Sequence, residues 1–132
     1  MQKIITSDKV YVGMSKIQNA GRGVFARSNI NKNDIIESCP IIEMSKHDVS
    51  TLNKSSLVTY FFYFGKDKER LAVTLGFGSL YNHSYKPNAT FKIKGAKGLI
   101  DFVALNDIKK DTEITFDYRH GNPNESPLWF EV

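Results

Sequence analysis

The sequence lacks the features that would brace or anchor a small domain from outside its core. It has one cysteine, Cys39, which excludes an internal disulfide and a cysteine-ligated zinc site. No apolar run approaches the roughly 18 residues that a membrane-spanning helix needs, and the first ten residues contain no apolar signal-peptide core. We therefore expect an intracellular protein without membrane association, in which Cys39 is a small buried apolar residue.

Charge is also modest, at a formal net value of +4 over 132 residues. This mild basic excess fits an acidic partner without requiring one, and the most basic stretch, KIKGAK at 92–97, is typical of a solvated hairpin turn. Direct nucleic-acid binding is not expected. A nucleic-acid-binding β-domain with a continuous Lys/Arg face and exposed aromatic side chains is kept as a lower-ranked alternative.

What the chain does contain is enough apolar sequence for one core, and most of that sequence is β-like. Hydrophobic residues make up 41% of the chain, so residues 1–132 are predicted to form a single domain. No segment has a sustained helical period, and 45–56 is either one helical turn or a polar insertion. The fold class is therefore mostly β, built of small sheets with little helix. The predicted strands are 10–15, 23–28, 34–44, 57–64, 70–75, 89–93, 99–105 and 113–118.

The stretch GSLYNHSYKPNATF at 78–91 is polar although β-like sequence flanks it on both sides. Asn82 and Asn88 each begin an N-x-[ST] sequon, but glycosylation has no meaning for an intracellular chain. Ser84 directly follows His83 without the elbow turn of a hydrolase nucleophile. The three histidines of the chain lack a metal-ligand spacing, so we expect no metal site.

A second candidate motif is GRGVFA at 21–26, which has the form G-x-G-x-x-A. A dinucleotide-binding fingerprint would need a following helix, and VFARSNINKND is a poor helix former. Two interpretations stay open for the glycines: a turn leading into a strand, or a close approach of the backbone to a ligand.

Three motifs occur together and in order: GRGVFA at 21–26, NHSYKPNA at 82–89 and EITFDY at 113–118. This ordered set resembles the SET-domain protein lysine methyltransferases, and the likeness covers nearly the whole chain. The chain carries no cysteine-rich zinc segment before or after the domain, so it is most similar to the minimal, stand-alone SET proteins of viral type. The resemblance implies several small β-sheets and a C-terminal pseudoknot, in which 82–88 packs beneath a loop formed by the last strand.

The resemblance also implies the chemistry. The chain would be an S-adenosylmethionine-dependent protein lysine N-methyltransferase that acts on a histone tail or a similar basic segment and releases S-adenosylhomocysteine. A histone substrate would place it in the nucleus, or in a host nucleus. The alternative is a catalytically silent SET-like module that binds a peptide or the cofactor. A groove for a basic tail should be locally acidic, and the candidate carboxylates are Asp107, Asp111, Glu113 and Asp117.

By the same resemblance, the backbone around Gly21, Arg22 and Gly23 would hold the methionine end of the cofactor. Asn82 and His83 would bond its amino acid and adenine ends, with the His83 amide and carbonyl on the adenine edge. Pro87 would fix the following turn.

Tyr118 matches the family's catalytic tyrosine, whose hydroxyl would lie near the transferring methyl group. The lysine channel should be aromatic, with Tyr63 as its catalytic tyrosine and Tyr60 as the second choice. Trp129 would pack over the cofactor and Phe130 would line the channel, and a plain core position is the alternative for both. A homodimer is another way of completing the site.

Two further residues of the central motif are assigned to structure instead of to ligand binding. Tyr81 is expected in the core, and Asn88 is expected to stabilise the pseudoknot.

Overall fold

Short strands account for most of the architecture in this computed structural model, which describes residues 3–56, 61–64 and 70–118. The predicted mostly-β class is confirmed. Within the described residues the only α-helix is α1 (Val49–Asn53), which follows a 3-10 turn at Lys46–Asp48. The strands are β1 (Val10–Met14), β2 (Arg22–Ala26), β3 (Ile35–Met44), β4 (Phe61–Phe64), β5 (Arg70–Thr74), β6 (Asn82–His83), β7 (Ala89–Lys94), β8 (Leu99–Ala104) and β9 (Glu113–Phe116).

One sheet has the strand order β1-β2-β9-β6 and joins segments that are far apart in the chain. The β1–β2 hairpin is antiparallel, and β2 pairs with β9 through Val24 and Ile114. β6 runs parallel to β9, with Asn82 opposite Thr115 and His83 opposite Phe116. The central and C-terminal motifs, expected to meet at one site, are therefore hydrogen-bonded neighbours.

The other sheet is antiparallel with the order β4-β5-β3-β8-β7. Its longest strand, β3, pairs with β8 through its first part, where the register shifts between Ile35 and Glu37, and with β5 through Ile41–Met44. The β7–β8 connection is a 3-10 turn at Gly95–Lys97, so the hairpin turn predicted for 92–97 is confirmed.

An aromatic cluster forms the core between the sheets. Tyr81 stacks on Phe102 with ring centroids 4.3 Å apart, and Phe116 meets Phe91 edge-on at 5.2 Å. Tyr81 is 1% exposed, so its assignment to the core is confirmed, and its hydroxyl donates to the buried Glu37 carboxylate at 2.8 Å. Cys39 is fully buried as expected, and this burial raises the pKa of its thiol.

The differences from the sequence prediction arise where strands are short or end early. β6 has only two residues, which is too few for an alternation pattern, so the sequence did not reveal it. The last strand was predicted to extend to Tyr118 but ends at Phe116. The reason is that the Tyr118 amide donates to the His83 side chain instead of continuing the ladder.

Among the described residues, no helix is long and apolar enough to cross a bilayer.

Candidate active site

The loop between β1 and β2 ends at an open glycine turn. Gly21 has a φ of 76°, a backbone angle that residues other than glycine rarely adopt. The Gly21 carbonyl accepts from the Ser15 amide at 2.8 Å. A Cβ added at Gly21 would meet no protein atom within 4 Å. Gly21 and Arg22 are exposed, whereas Gly23 is buried. The turn therefore leaves an open space against exposed backbone, which is what a ligand held by main-chain groups requires.

The Asn82 side chain is oriented by its own amide hydrogens. Its Nδ2 donates to the Arg22 carbonyl at 3.0 Å and to the Glu113 Oε2 at 2.8 Å. An amide nitrogen has two hydrogens, so both are used within the fold and only the oxygen remains to bond a ligand, as an acceptor. Gly23 permits this arrangement, because a Cβ there would lie 2.9 Å from the Asn82 nitrogen.

The His83 imidazole is completely buried and bonds to Tyr118, the last residue of the C-terminal motif. Its Nδ1 accepts from the Tyr118 amide at 2.9 Å, so that nitrogen carries no proton and the ring is in the Nε2–H tautomer. The backbone amide and carbonyl of His83 do not pair with β9. Ser84 donates to the Phe116 carbonyl at 3.1 Å, and in a parallel pair successive residues bond to opposite sides. The His83 amide and carbonyl therefore face away from β9, at the edge of the sheet.

Tyr118 is fixed at both ends of its side chain. Its hydroxyl donates to the Tyr81 carbonyl at 2.7 Å, and its ring lies edge-on to His83 with centroids 5.2 Å apart. Since the hydroxyl proton is directed at a carbonyl, the oxygen lone pairs remain available to a positively polarised group. This geometry suits the stabilisation of developing positive charge.

The Asn88 side chain links the central motif to β9 by hydrogen bonds to the backbone on either side of Ile114. Its Nδ2 donates to the Glu113 carbonyl at 2.9 Å, and its Oδ1 accepts from the Thr115 amide at 2.9 Å. An asparagine side chain thereby replaces a strand partner at this point. These contacts agree with the structural role that the sequence suggested for it.

The structure brings together five of the predicted site residues at one end of the β2-β9-β6 arrangement: Arg22, Gly23, Asn82, His83 and Tyr118. Gly21 lies one residue before β2. The residues predicted to line the lysine channel cannot be placed in the same way. Tyr63 lies in β4 with its backbone opposite Leu71, and its side chain is outside what the structure describes. Tyr60, Trp129 and Phe130 are outside the described residues, so the channel assignments stay predictions.

The four proposed groove carboxylates have specific partners. Asp111 accepts from the Tyr11 hydroxyl at 2.8 Å, and Asp107 accepts from the Lys32 amide at 2.8 Å. The Asp117 carboxylate lies 3.7 Å from the His83 Nδ1, which is not a hydrogen bond because that nitrogen accepts from the Tyr118 amide. Glu113 accepts from the Ser15 hydroxyl and from the Asn82 amide.

One contributor to the site was not found by sequence reasoning. Ser15 donates its hydroxyl to the Glu113 Oε1 at 2.7 Å, and a lone serine after a strand gave no signal of this.

Comparison with known proteins agrees with this arrangement. The family model of the SET domain matches residues 21–119, and the chain belongs to the SET-domain family. A Schizosaccharomyces pombe histone-lysine N-methyltransferase, H3 lysine-37 specific, is 30% identical over 115 residues, covering 86% of this chain and 73% of that protein.

Two solved structures give the same fold. A candidate histone methyltransferase of Plasmodium falciparum is 33% identical with a TM-score of 0.67, covering 86% of this chain and 99% of that one. A SET protein of Cryptosporidium is 25% identical with a TM-score of 0.70, covering 90% of this chain and 61% of that one.

Proposed function

We propose that this chain is an S-adenosylmethionine-dependent protein lysine N-methyltransferase. The observation that carries the proposal is the Tyr118 hydroxyl, held on the Tyr81 carbonyl beside the paired motif strands β6 and β9. SET methyltransferases use S-adenosylmethionine, and the Schizosaccharomyces pombe and Plasmodium falciparum relatives are histone methyltransferases by name. Family membership and site geometry therefore support the same reaction.

The described residues fit the cofactor by their chemistry. The open turn at the exposed residues Gly21 and Arg22 suits its methionine end. Asn82, with both amide hydrogens engaged, offers an acceptor that suits an ammonium group. The edge-facing amide and carbonyl of His83 suit the donor and acceptor edge of a purine. When bound, the cofactor supplies a methyl group on a positively charged sulfonium.

Tyr118 would act on alignment and charge. Methyl transfer is an in-line displacement, so holding the lysine amine, the methyl group and the sulfur in a line supplies much of the rate. The Tyr118 oxygen would present lone pairs to a positively polarised methyl group while its hydroxyl keeps donating its hydrogen bond to the Tyr81 carbonyl. The lysine must be neutral to attack, and transfer from water into an aromatic channel favours its neutral form.

The finer assignments belong to the same proposal. The substrate is a basic protein segment, with a histone tail as the first candidate, which would place the protein with chromatin in a nucleus or a host nucleus. Tyr63, Tyr60 and Phe130 line the lysine channel, and Trp129 covers the cofactor. No metal takes part, and a homodimer is the alternative way of completing the channel. The second candidate function is a silent SET-like binding module, which the positioned Tyr118 hydroxyl disfavours.

The test is transfer of radiolabelled methyl groups to core histones and tail peptides, with cofactor binding measured in parallel by calorimetry. We expect labelling by the wild type, and a loss of about a hundredfold in Tyr118→Phe, because one positioned polar group is worth that much in a transition state. His83→Ala should lose activity as the Tyr118 amide loses its acceptor. Tyr11→Phe removes an exposed hydroxyl elsewhere and is the matched control.

Two outcomes would contradict the proposal. Cofactor binding without labelling of any protein substrate would favour the silent module. Full activity in Tyr118→Phe would remove the catalytic role given to that hydroxyl.

A further inference from the structure

The Glu113 carboxylate connects two separate parts of the proposed cofactor site. Its Oε1 accepts from the Ser15 hydroxyl at 2.7 Å, and its Oε2 accepts from the Asn82 Nδ2 at 2.8 Å. Ser15 and Asn82 are far apart in sequence and lie on different segments of the fold, one after β1 and the other in β6. One side chain of β9 thus touches both.

On the first side, the bond fixes the base of the glycine turn. The Ser15 amide donates to the Gly21 carbonyl at 2.8 Å, which closes the loop between β1 and β2. The Ser15 hydroxyl also accepts from the Ile17 amide at 3.0 Å, so its own hydrogen is directed to Glu113. Fixing Ser15 therefore fixes the carbonyl end of the turn at Gly21.

On the second side, the carboxylate and the Arg22 carbonyl together hold the orientation of the Asn82 amide. An ionised carboxylate only accepts hydrogen bonds, so it selects the nitrogen of Asn82 and turns the oxygen away. Gly23 makes room for this contact, because a Cβ there would lie 2.9 Å from the Glu113 carboxyl carbon. The amide orientation that offers an acceptor to a ligand is thus held by Glu113 together with the Arg22 carbonyl.

We propose that Glu113 is a positioning residue for cofactor binding, which it couples to Ser15 and Asn82 without touching the cofactor itself. The inference rests on the proposed function, since it assumes that the Gly21 turn and Asn82 hold S-adenosylmethionine. Because Glu113 acts by pre-ordering both groups, its loss weakens binding more than it slows the methyl-transfer step. A residue needed only for folding would show no such preference.

The experiment measures the dissociation constant of S-adenosylhomocysteine by calorimetry and the melting temperature of each variant. Loss of a hydrogen bond to a charged group should raise the dissociation constant about tenfold or more in Glu113→Ala. Glu113→Gln should lie between Glu113→Ala and wild type, because its one oxygen can still accept from Asn82 while its amide donates to Ser15. Glu43→Gln is the matched control on β3, where the side chain is 45% exposed and pairs with Arg70. It should bind as wild type does.

A double-mutant cycle makes the test independent of whether Glu113→Ala folds. Ser15→Ala and Asn82→Ala should be non-additive in the dissociation constant by at least about threefold, because Glu113 joins the two side chains. Additive effects in the cycle, or wild-type affinity in Glu113→Gln and Ser15→Ala, would overturn the inference. If the wild type itself binds no cofactor, the proposed function fails instead. In activity assays of Glu113→Gln, the KM for the cofactor should rise by a larger factor than kcat falls.

Discussion

Replacing Gly21 by alanine tests whether the open turn holds the cofactor, and Gly98 offers a matched comparison. Both glycines have positive φ, at 76° and 66°, and an added Cβ at either would meet no protein atom within 4 Å. The cost to folding should therefore be similar and purely conformational. A left-handed non-glycine residue costs about 1–2 kcal/mol, which corresponds to a fall in melting temperature of about 4 °C or more for a chain of this size.

Cofactor affinity should separate the two variants. If the methionine end lies against the Gly21 backbone, the new methyl group overpacks that contact by about 1–3 kcal/mol, or about 5- to 150-fold in the dissociation constant. Gly98 follows the turn between β7 and β8, so Gly98→Ala should bind S-adenosylhomocysteine as wild type does. Calorimetry and thermal melting give both numbers. Equal affinity of the two variants would refute the placement of the cofactor at Gly21.

Two further predictions concern stability and are read from denaturant unfolding. Asn88→Ala should lose about 2–3 kcal/mol, because it removes two hydrogen bonds to the backbone of β9; a loss below 0.5 kcal/mol would contradict this role. Tyr81→Phe should cost about 1–3 kcal/mol near neutral pH, since it leaves the buried Glu37 carboxylate without that donor. Burial, and then the Glu37 charge, raise the pKa of Tyr81 well above 10.0, so its stabilisation is complete below that pH and is lost as pH rises towards the folded-state pKa. The advantage of wild type over Tyr81→Phe should accordingly shrink above pH 10, and a constant difference would sink the argument.

Much of the fold was accessible from the sequence because its signals are local. Runs of β-branched and aromatic residues identified the long strands, and turn formers placed the hairpin at Gly95–Lys97. The ordered motifs also indicated which residues belong to the site. The order of the motifs points to Tyr118, Asn82 and His83, since the set resembles that of one family.

Contacts between distant segments were not accessible in the same way. β6 is a two-residue parallel strand that exists only because β9 lies beside it, and Tyr118 leaves the ladder because the buried His83 ring accepts its amide. The Ser15–Glu113 hydrogen bond joins residues 98 positions apart. Nothing in the sequence around either residue indicates that the two side chains meet.

The sequence by itself determined the class of fold, the burial of Tyr81 and the identity of the groups at the site, because composition, alternation and motif order are properties of the chain. Only the tertiary structure decided how those groups are oriented. The direction of the Asn82 amide depends on Glu113 and the Arg22 carbonyl, and the tautomer of His83 depends on the Tyr118 amide. Hydrogen-bond direction is a property of a pair, and pairs such as these form only when the chain has folded.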